Sequence, residues 1–191
     1  MTFPASPAPP TPAAGFVRAA RACDAADLAH IQVASWRAGL SGMVPDEVLA
    51  EMTSEAAQER WRRRWRDAIT KPPTSRHRVL VAVGDEPAGF ASVGPATDED
   101  LWPGTDGELY ELRVLPALTG RGHGGRLLHA VADTLAEDGF HTACTWLLEA
   151  DGTRRAFLGS AGWAPDGGRG NLDMGVRVPV LRLHTMIATP A

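Results

Sequence analysis

The sequence predicts a mixed α/β fold of the α+β kind, a mostly antiparallel sheet flanked by helices. Three observations predict it. Short apolar runs at 79–83, 88–93 and 109–114 follow one another, the first two around a Gly84-Asp-Glu-Pro87 turn, which is the pattern of an antiparallel meander. Pro116 closes the third run, and glycines at 120, 122, 124 and 125 lead into an amphipathic segment carrying Leu127, Leu128, Val131 and Leu135. A further apolar run at 142–148 then returns to the sheet.

The elements ahead of the meander can be justified in order. Residues 1–15 hold five prolines with alanine, serine and threonine, a composition that leans to extended conformations and cannot close a core, so a disordered tail is expected there and one domain over 16–191. Residues 16–20 form a short strand candidate. Asp24 is placed to cap a helix that carries Leu28, Ile31 and Ala34 on one face, with Asp27 adding favourable charge near its start. Gly39, Gly42 and Pro45 break that helix, and Asp46 opens a second with Val48, Leu49 and Met52. The tract Glu59-Arg-Trp-Arg-Arg-Arg-Trp-Arg66 sets aromatics among arginines as nucleic-acid elements do. Trp61, Trp65 and Ile69 recur at four-residue spacing, however, so they share a buried face and leave the arginines on a solvated one.

Composition narrows the functional classes. A chain of 191 residues, 44% hydrophobic, suits one domain with a sizeable core. A formal charge of −4 gives no global field toward nucleic acid or anionic membranes, so neither is expected as a partner. Cys23 and Cys144 are too few for a disulfide framework and have no metal-ligand neighbours at useful spacing, so no metal is expected. No apolar run approaches a membrane span, and the N-terminus lacks a basic, apolar leader. A cytoplasmic protein is expected.

The glycine loop carries the chemistry. Residues without Cβ let backbone N–H groups turn toward a phosphate, and the unsatisfied donors at a helix start favour negative charge, so a phosphate-bearing ligand is the first expectation. Gly120, Gly122 and Gly125 also satisfy the dinucleotide pattern G-x-G-x-x-G, with Glu149 available as a ribose-binding acid. That pattern belongs to the opening unit of a parallel sheet, against the meander here. No Lys-Ser or Lys-Thr follows the glycines, which excludes a P-loop.

Read with its flanks, the segment resembles the signature of the GNAT N-acetyltransferase superfamily, a strand L-x-V-x-P followed by (Gln/Arg)-x-x-Gly-x-(Gly/Ala). Leu112, Val114 and Pro116 fit the first part and Thr119-Gly-Arg-Gly-His-Gly124 the second, with Thr119 where Gln or Arg is usual. Downstream, Trp146-Leu-Leu-Glu-Ala-Asp-Gly-Thr-Arg-Arg-Ala-Phe-Leu-Gly-Ser-Ala-Gly-Trp163 resembles the family's W-V-x-E-x-N-x-x-A-x-x-F-Y-x-x-x-G-F. The resemblance implies about seven strands, the fourth and fifth parallel and splayed, a helix over 153–161, a sixth strand from Trp163 and a seventh over 178–186. It implies direct acetyl transfer from acetyl-CoA to a primary amine of a small molecule or peptide. The family's habit of homodimerising makes a second copy of the chain a further candidate partner.

Such a reaction needs a held donor, a deprotonated nucleophile and donors for a developing oxyanion. The resemblance implies that the backbone of Thr119, Gly120, Arg121, Gly122, His123, Gly124 and Gly125 holds the pyrophosphate, with charge from Arg121 and Arg126. Backbone groups of Leu112 and Val114 would pair with the pantetheine arm like an added strand and polarise the thioester carbonyl. Asp151 stands where relatives often place an asparagine that contacts CoA. Trp36, Leu40 and Met43, at the junction of the first two helices, are acceptor-pocket candidates by the same resemblance, or ordinary core residues.

Glu108 sits where several family members carry a glutamate that deprotonates the amine through water; Glu111 is its rival. Strand alternation puts the two on opposite faces, Glu108 with Tyr110, Leu112 and Val114. His123 is expected to face solvent from the loop. Leu158 replaces the pattern's tyrosine, so a thiolate leaving without side-chain assistance is expected. The acidic loop at 95–106 would suit a cationic acceptor. An acyl-CoA-binding or sensing domain with little turnover is the alternative, and a dinucleotide oxidoreductase the third.

Overall fold

The structure, a computed structural model, describes residues 15–187. The tail expected at 1–15 therefore lies, but for Gly15, outside the described residues. Seven strands are present among those described: β1 (Phe16–Ala19), β2 (Arg78–Val83), β3 (Pro87–Pro95), β4 (Asp106–Val114), β5 (Thr142–Leu148), β6 (Ala164–Asp173) and β7 (Arg177–Met186). They form one sheet in the order β1-β2-β3-β4-β5-β7-β6. Neighbours are antiparallel except β4 and β5, which run parallel. A single parallel pair rules out the doubly wound sheet of a dinucleotide enzyme.

The helices are α1 (Ala25–Gly39), α2 (Asp46–Met52), α3 (Glu55–Thr70), α4 (His123–Glu137) and α5 (Gly152–Gly159). The stripe Leu127, Leu128, Val131 and Leu135 of α4 packs on Leu80, Ala82, Ala91, Val93, Leu109 and Leu112 from one face of the sheet. Leu28 and Ile31 of α1 and Trp65 of α3 pack with Val81 and Phe90 on the other. Each such side chain, fully buried, stabilises the fold by about 1.5–3 kcal/mol. Trp65 donates its Nε1 hydrogen to Gln32 Oε1 at 2.8 Å, so the polar end of the buried indole is satisfied. None of the described helices is long and apolar enough to cross a membrane.

One expected device is replaced. Asp24 does not cap α1 with its side chain, because a 3₁₀ turn at Ala22–Asp24 starts the helical path earlier and leaves Asp24 in helical geometry. Its carboxylate instead accepts from both Arg18 nitrogens at 2.7 and 2.8 Å and from the Arg21 N–H at 2.6 Å. Those hydrogen bonds hold its pKa below the usual carboxylate range.

The feature that positions the site lies in β4. Leu112 pairs with Ala91, Glu111 with Ser92 and Leu109 with Val93, so Tyr110 is an extra residue without a partner in β3. A bulge of this kind bends the strand and increases its twist. Past the bulge, β4 and β5 part. They pair only at Asp106–Thr142, Gly107–Ala143 and Glu108–Cys144. Thr145 then donates its hydroxyl to Leu109 O at 2.7 Å, and the edge of β4 beyond it is open on the β5 side.

Candidate active site

The open edge leads to the glycine loop. Gly120 and Gly122 have φ of +75° and +81°, left-handed conformations that side-chain-bearing residues rarely adopt, so the turn requires glycine at both positions. Gly122 is the residue before α4, and no side chain caps the helix start. The amides of the first turn are thus available to an anion, and the dipole of the fifteen-residue helix favours one there. Gly124 and Gly125 belong to that first turn rather than to the loop. Arg126 folds back over the turn, donating to Arg121 O at 3.3 Å and to His123 Nδ1 at 3.1 Å, while its Nε is buried without a partner.

Loop, strand and helices enclose a cleft of about 830 Å³. Its walls include Leu112, Arg113 and Val114 of β4, Thr119, Gly120, Gly122, His123, Gly124 and Gly125 below, and Asp151, Thr153, Arg154 and Phe157 opposite. Asp151 caps α5, its Oδ1 accepting from the Arg154 N–H at 2.9 Å. A carboxylate can only accept, so Asp151 cannot reproduce the donor face of an asparagine amide. Arg121 and Arg126 do not line this cleft and flank the cradle from outside.

Several expectations are corrected. His123 does not face solvent; it is 3% exposed, the first residue of α4, with its ring near Gly84. Burial, and then Arg126 and Arg121, push its pKa down, which suits an imidazole accepting at Nδ1. Of the three acceptor candidates Met43 lines the cleft, but Trp36 and Leu40 pack with Val44 and Val178 in a separate core. The reason is helical phase. Ser35, Ala38 and Gly39 present their face of α1 to the cleft, which turns the large apolar residues at 36 and 40 inward.

The bulge also overturns the strand parity. Glu108 pairs with Gly94, Glu111 with Ser92 and Arg113 with Phe90, so all three lie on the face that α1 and α3 cover. Leu109 and Leu112 share the opposite face with α4. Glu108 and Glu111 are therefore on the same side, and Glu108 does not share a face with Leu112 and Val114. Neither carboxylate reaches the cleft wall directly.

Their environments differ. Glu108 is 7% exposed, and its Oε2 accepts both the Thr97 N–H at 2.9 Å and the Thr97 hydroxyl at 2.8 Å. Burial pushes its pKa up, against the pull of the Thr97 hydrogen bonds. Glu111 is taken up by Arg113, with Nε to Oε2 at 2.6 Å. Leu158 is 2% exposed within the core, while Phe157 faces the cleft. The position of the missing tyrosine thus points away from the site.

Three of the four acids of the 95–106 loop, all but Glu99, are engaged. Asp98 and Asp100, with Asp166, bind Arg182, and Asp98 accepts from Trp146 Nε1 at 2.8 Å. Asp106 accepts from the Trp102 N–H at 2.7 Å. These contacts hold the loop to β5 and β7, while three carboxylates share the one Arg182 charge and Glu99 is exposed, so the region keeps a net negative charge.

A parted parallel strand pair beside an uncapped glycine-led helix sets an open strand edge next to a group of free amides, and the class of protein follows from likeness to known ones. The acetyltransferase (GNAT) family model matches residues 45–162. The chain is 31% identical over 135 residues to the uncharacterised N-acetyltransferase YuaI of Bacillus subtilis (strain 168), covering 70% of this chain and 71% of that protein. Its fold is similar to that of PaiA N-acetyltransferase from Thermoplasma acidophilum, solved in complex with coenzyme A (TM-score 0.71, 15% identity, 88% of this chain and 98% of the other). It is also similar to YncA from Salmonella typhimurium, solved with its cofactor acetyl-CoA (TM-score 0.66, 18% identity, 93% and 96%). The chain belongs to the GNAT acetyltransferase family. It is an acetyl-CoA-dependent N-acetyltransferase.

Sequence reasoning missed two cleft features. The small residues Ser35, Ala38, Gly39 and Ser41 carry no motif. Arg154 does carry a signal, since it stands at the alanine of the downstream pattern.

Proposed function

We propose that residues 16–191 act as one catalytic domain that acetylates the primary amine of a small molecule or peptide, with Glu108 as the base. The observation that carries this reading is the open edge of β4 beside the uncapped start of α4. The first-turn amides from His123 to Gly125, with Arg121 and Arg126 outside, suit the pyrophosphate, and the buried, unpartnered Arg126 Nε fits an anion there. Backbone groups of Leu112 and Val114 suit the pantetheine amides in the manner of an added strand. Acetyl-CoA supplies an activated thioester carbonyl, and the N–H groups of that edge are the donors available to polarise it.

Glu108 is the better available base of the two carboxylates. Burial raises its proton affinity, and its Oε1 carries no hydrogen bond among the described residues, whereas Glu111 is held by Arg113. Because Glu108 lies behind the cleft wall, it takes the amine proton through water. The departing thiol has a pKa near the ~8.5 of cysteine, so its thiolate leaves without a side-chain acid and is protonated by water. The low cysteine content, with Cys23 and Cys144 both free, supports a reducing, cytoplasmic setting. The family's habit supports a homodimer.

The test is release of CoA thiol from acetyl-CoA across a panel of amines, with the acetylated product identified by mass. Turnover of at least one primary amine, lost in Glu108→Gln and retained in Glu111→Gln, is the expected result. The larger loss in Glu111→Gln would reverse the assignment. Tight acetyl-CoA binding with no turnover on any amine would replace the reading with a sensing domain.

A further inference from the structure

Arg154 is the cation in this cleft that nothing yet explains. Its backbone N–H is capped by Asp151, but its half-buried side chain lines the cleft with no hydrogen bond or ion pair to the guanidinium among the described residues. The charges that act on it are Arg113, Glu111 and Asp151. Arg113 and Glu111 neutralise each other, and Asp151, one oxygen of which caps the helix start, is the remaining negative charge that acts on Arg154 without forming an ion pair with it. Burial and then Arg113 lower its pKa to about 10, which leaves it charged at neutral pH. A half-buried guanidinium with no hydrogen bond or ion pair of its own is stabilised by an anion that completes it.

Two observations place that anion on the acceptor rather than on CoA. Glu111 and Arg113, the β4 groups that act on Arg154, lie on the face of β4 that α1 covers, and Ser35, Ala38, Gly39 and Ser41 at the end of α1 form that wall of the cleft. The phosphate cradle has its own cations in Arg121 and Arg126.

We propose that Arg154 is a specificity residue that binds a carboxylate of the acceptor, so that the amine substrate is an amino acid or a small carboxylated amine. This rests on the amine-acceptor reading above. A planar guanidinium fork matches a carboxylate through two parallel N–H···O bonds, a match that lysine cannot reproduce.

The experiment uses matched pairs, amino acids against their carboxamides and dipeptides against their C-terminal amides, with wild type, Arg154→Gln and Arg154→Lys. Wild type is expected to prefer the carboxylates at least tenfold in kcat/KM. Arg154→Gln should lose about ten- to a hundredfold on them, chiefly in KM, with the amides unchanged and the calorimetric Kd for acetyl-CoA within twofold. Arg154→Lys should recover only part. An equal loss on carboxylates and amides, a parallel loss of acetyl-CoA affinity, or a wild-type preference for amines without a carboxylate would each overturn the proposal, the second by assigning Arg154 to a CoA phosphate. If wild type turns over no amine, the acetylation reading fails separately. Titration of a carboxylated amine into the CoA-saturated protein then decides, since binding lost in Arg154→Gln supports the role and binding that is absent or unchanged ends it.

Discussion

A single side chain at position 124 should separate the fold from donor binding. Gly124 lies in the first turn of α4, where a Cβ would meet Phe157 Cζ at 3.2 Å and Val114 Cγ2 at 3.8 Å. Its φ is not in the left-handed region, so the backbone accepts another residue without strain. Valine is also the better helix former of the two by a few tenths of a kcal/mol. The first contact is tight but falls on the rim of a ring that borders open cleft, and a shift of a few tenths of an ångström relieves it. The two γ-carbons then occupy the space in front of the first-turn amides and between Val114 and Phe157. Denying an anion even one charge-assisted hydrogen bond costs about 1.5–3 kcal/mol, or roughly ten- to 150-fold in affinity. Gly124→Val is therefore expected to weaken acetyl-CoA more than tenfold by calorimetry while the thermal midpoint moves by only a few degrees. Unchanged affinity in a folded variant would refute the placement of the donor over this helix. A parallel Gly159→Ala variant, where a Cβ meets nothing within 4 Å, controls for generic helix effects and should bind acetyl-CoA as wild type does.

Three other outcomes follow from the same geometry. Glu108→Gln should lower kcat by roughly 10²–10⁴ yet leave the melting temperature at pH 7 unchanged or higher. Because burial raises the folded-state pKa of Glu108 above its unfolded value, its contribution to stability is present below the unfolded pKa and lost as pH rises through the folded one; pH-rate profiles should accordingly show an acidic limb above the ordinary glutamate range. Leu158→Tyr, which would restore the family's residue, should destabilise the fold by about 1–3 kcal/mol through overpacking and give no gain in kcat, because that position faces the core; a faster enzyme of unchanged stability would show that the α5 geometry is misread. Arg182→Ala should cost about 3 kcal/mol and raise amide exchange in the 95–106 loop, since Asp98 and Asp166 lose their shared partner; an unchanged exchange pattern would mean that the loop is held by its backbone alone.

Much of this fold was legible because its signals are local. The run 142–148 coincides with β5, and Gly39, Gly42 and Pro45 mark the break between α1 and α2. Trp61 and Trp65, four apart, fall on the packed face of α3 as their spacing requires. What escaped was set by tertiary register. No glycine or proline marks Tyr110 as an extra residue, yet that insertion reverses every later face assignment in β4. Hydrophobicity likewise misdirected the reading of α1, since Trp36 and Leu40 are large and apolar for packing, while the cleft is walled by neighbours too small to attract notice. Arg154 was readable only as a departure from a pattern, and its meaning depends on which charges around it are already neutralised.

The bulge at Tyr110 links the two halves of the site. Without it, β4 and β5 have no local reason to part after three paired positions, and the β4 edge would be closed by its neighbour. Without it, strand alternation would also carry Glu111 and Arg113 to the α4 face, into the apolar cluster of Leu112 and Leu127. One inserted residue therefore opens the β4 edge and gathers Glu108, Glu111 and Arg113 on the face that α1 covers. In the proposed reading, donor and acceptor meet across the strand rather than along it. There the backbone of Leu112 and Val114 would serve one substrate, and the side chains of their neighbours on the opposite face would shape the other. On that reading the departures from the family's pattern at Thr119, Asp151 and Leu158 would leave donor binding intact, since backbone amides and an open strand edge do not depend on those side chains.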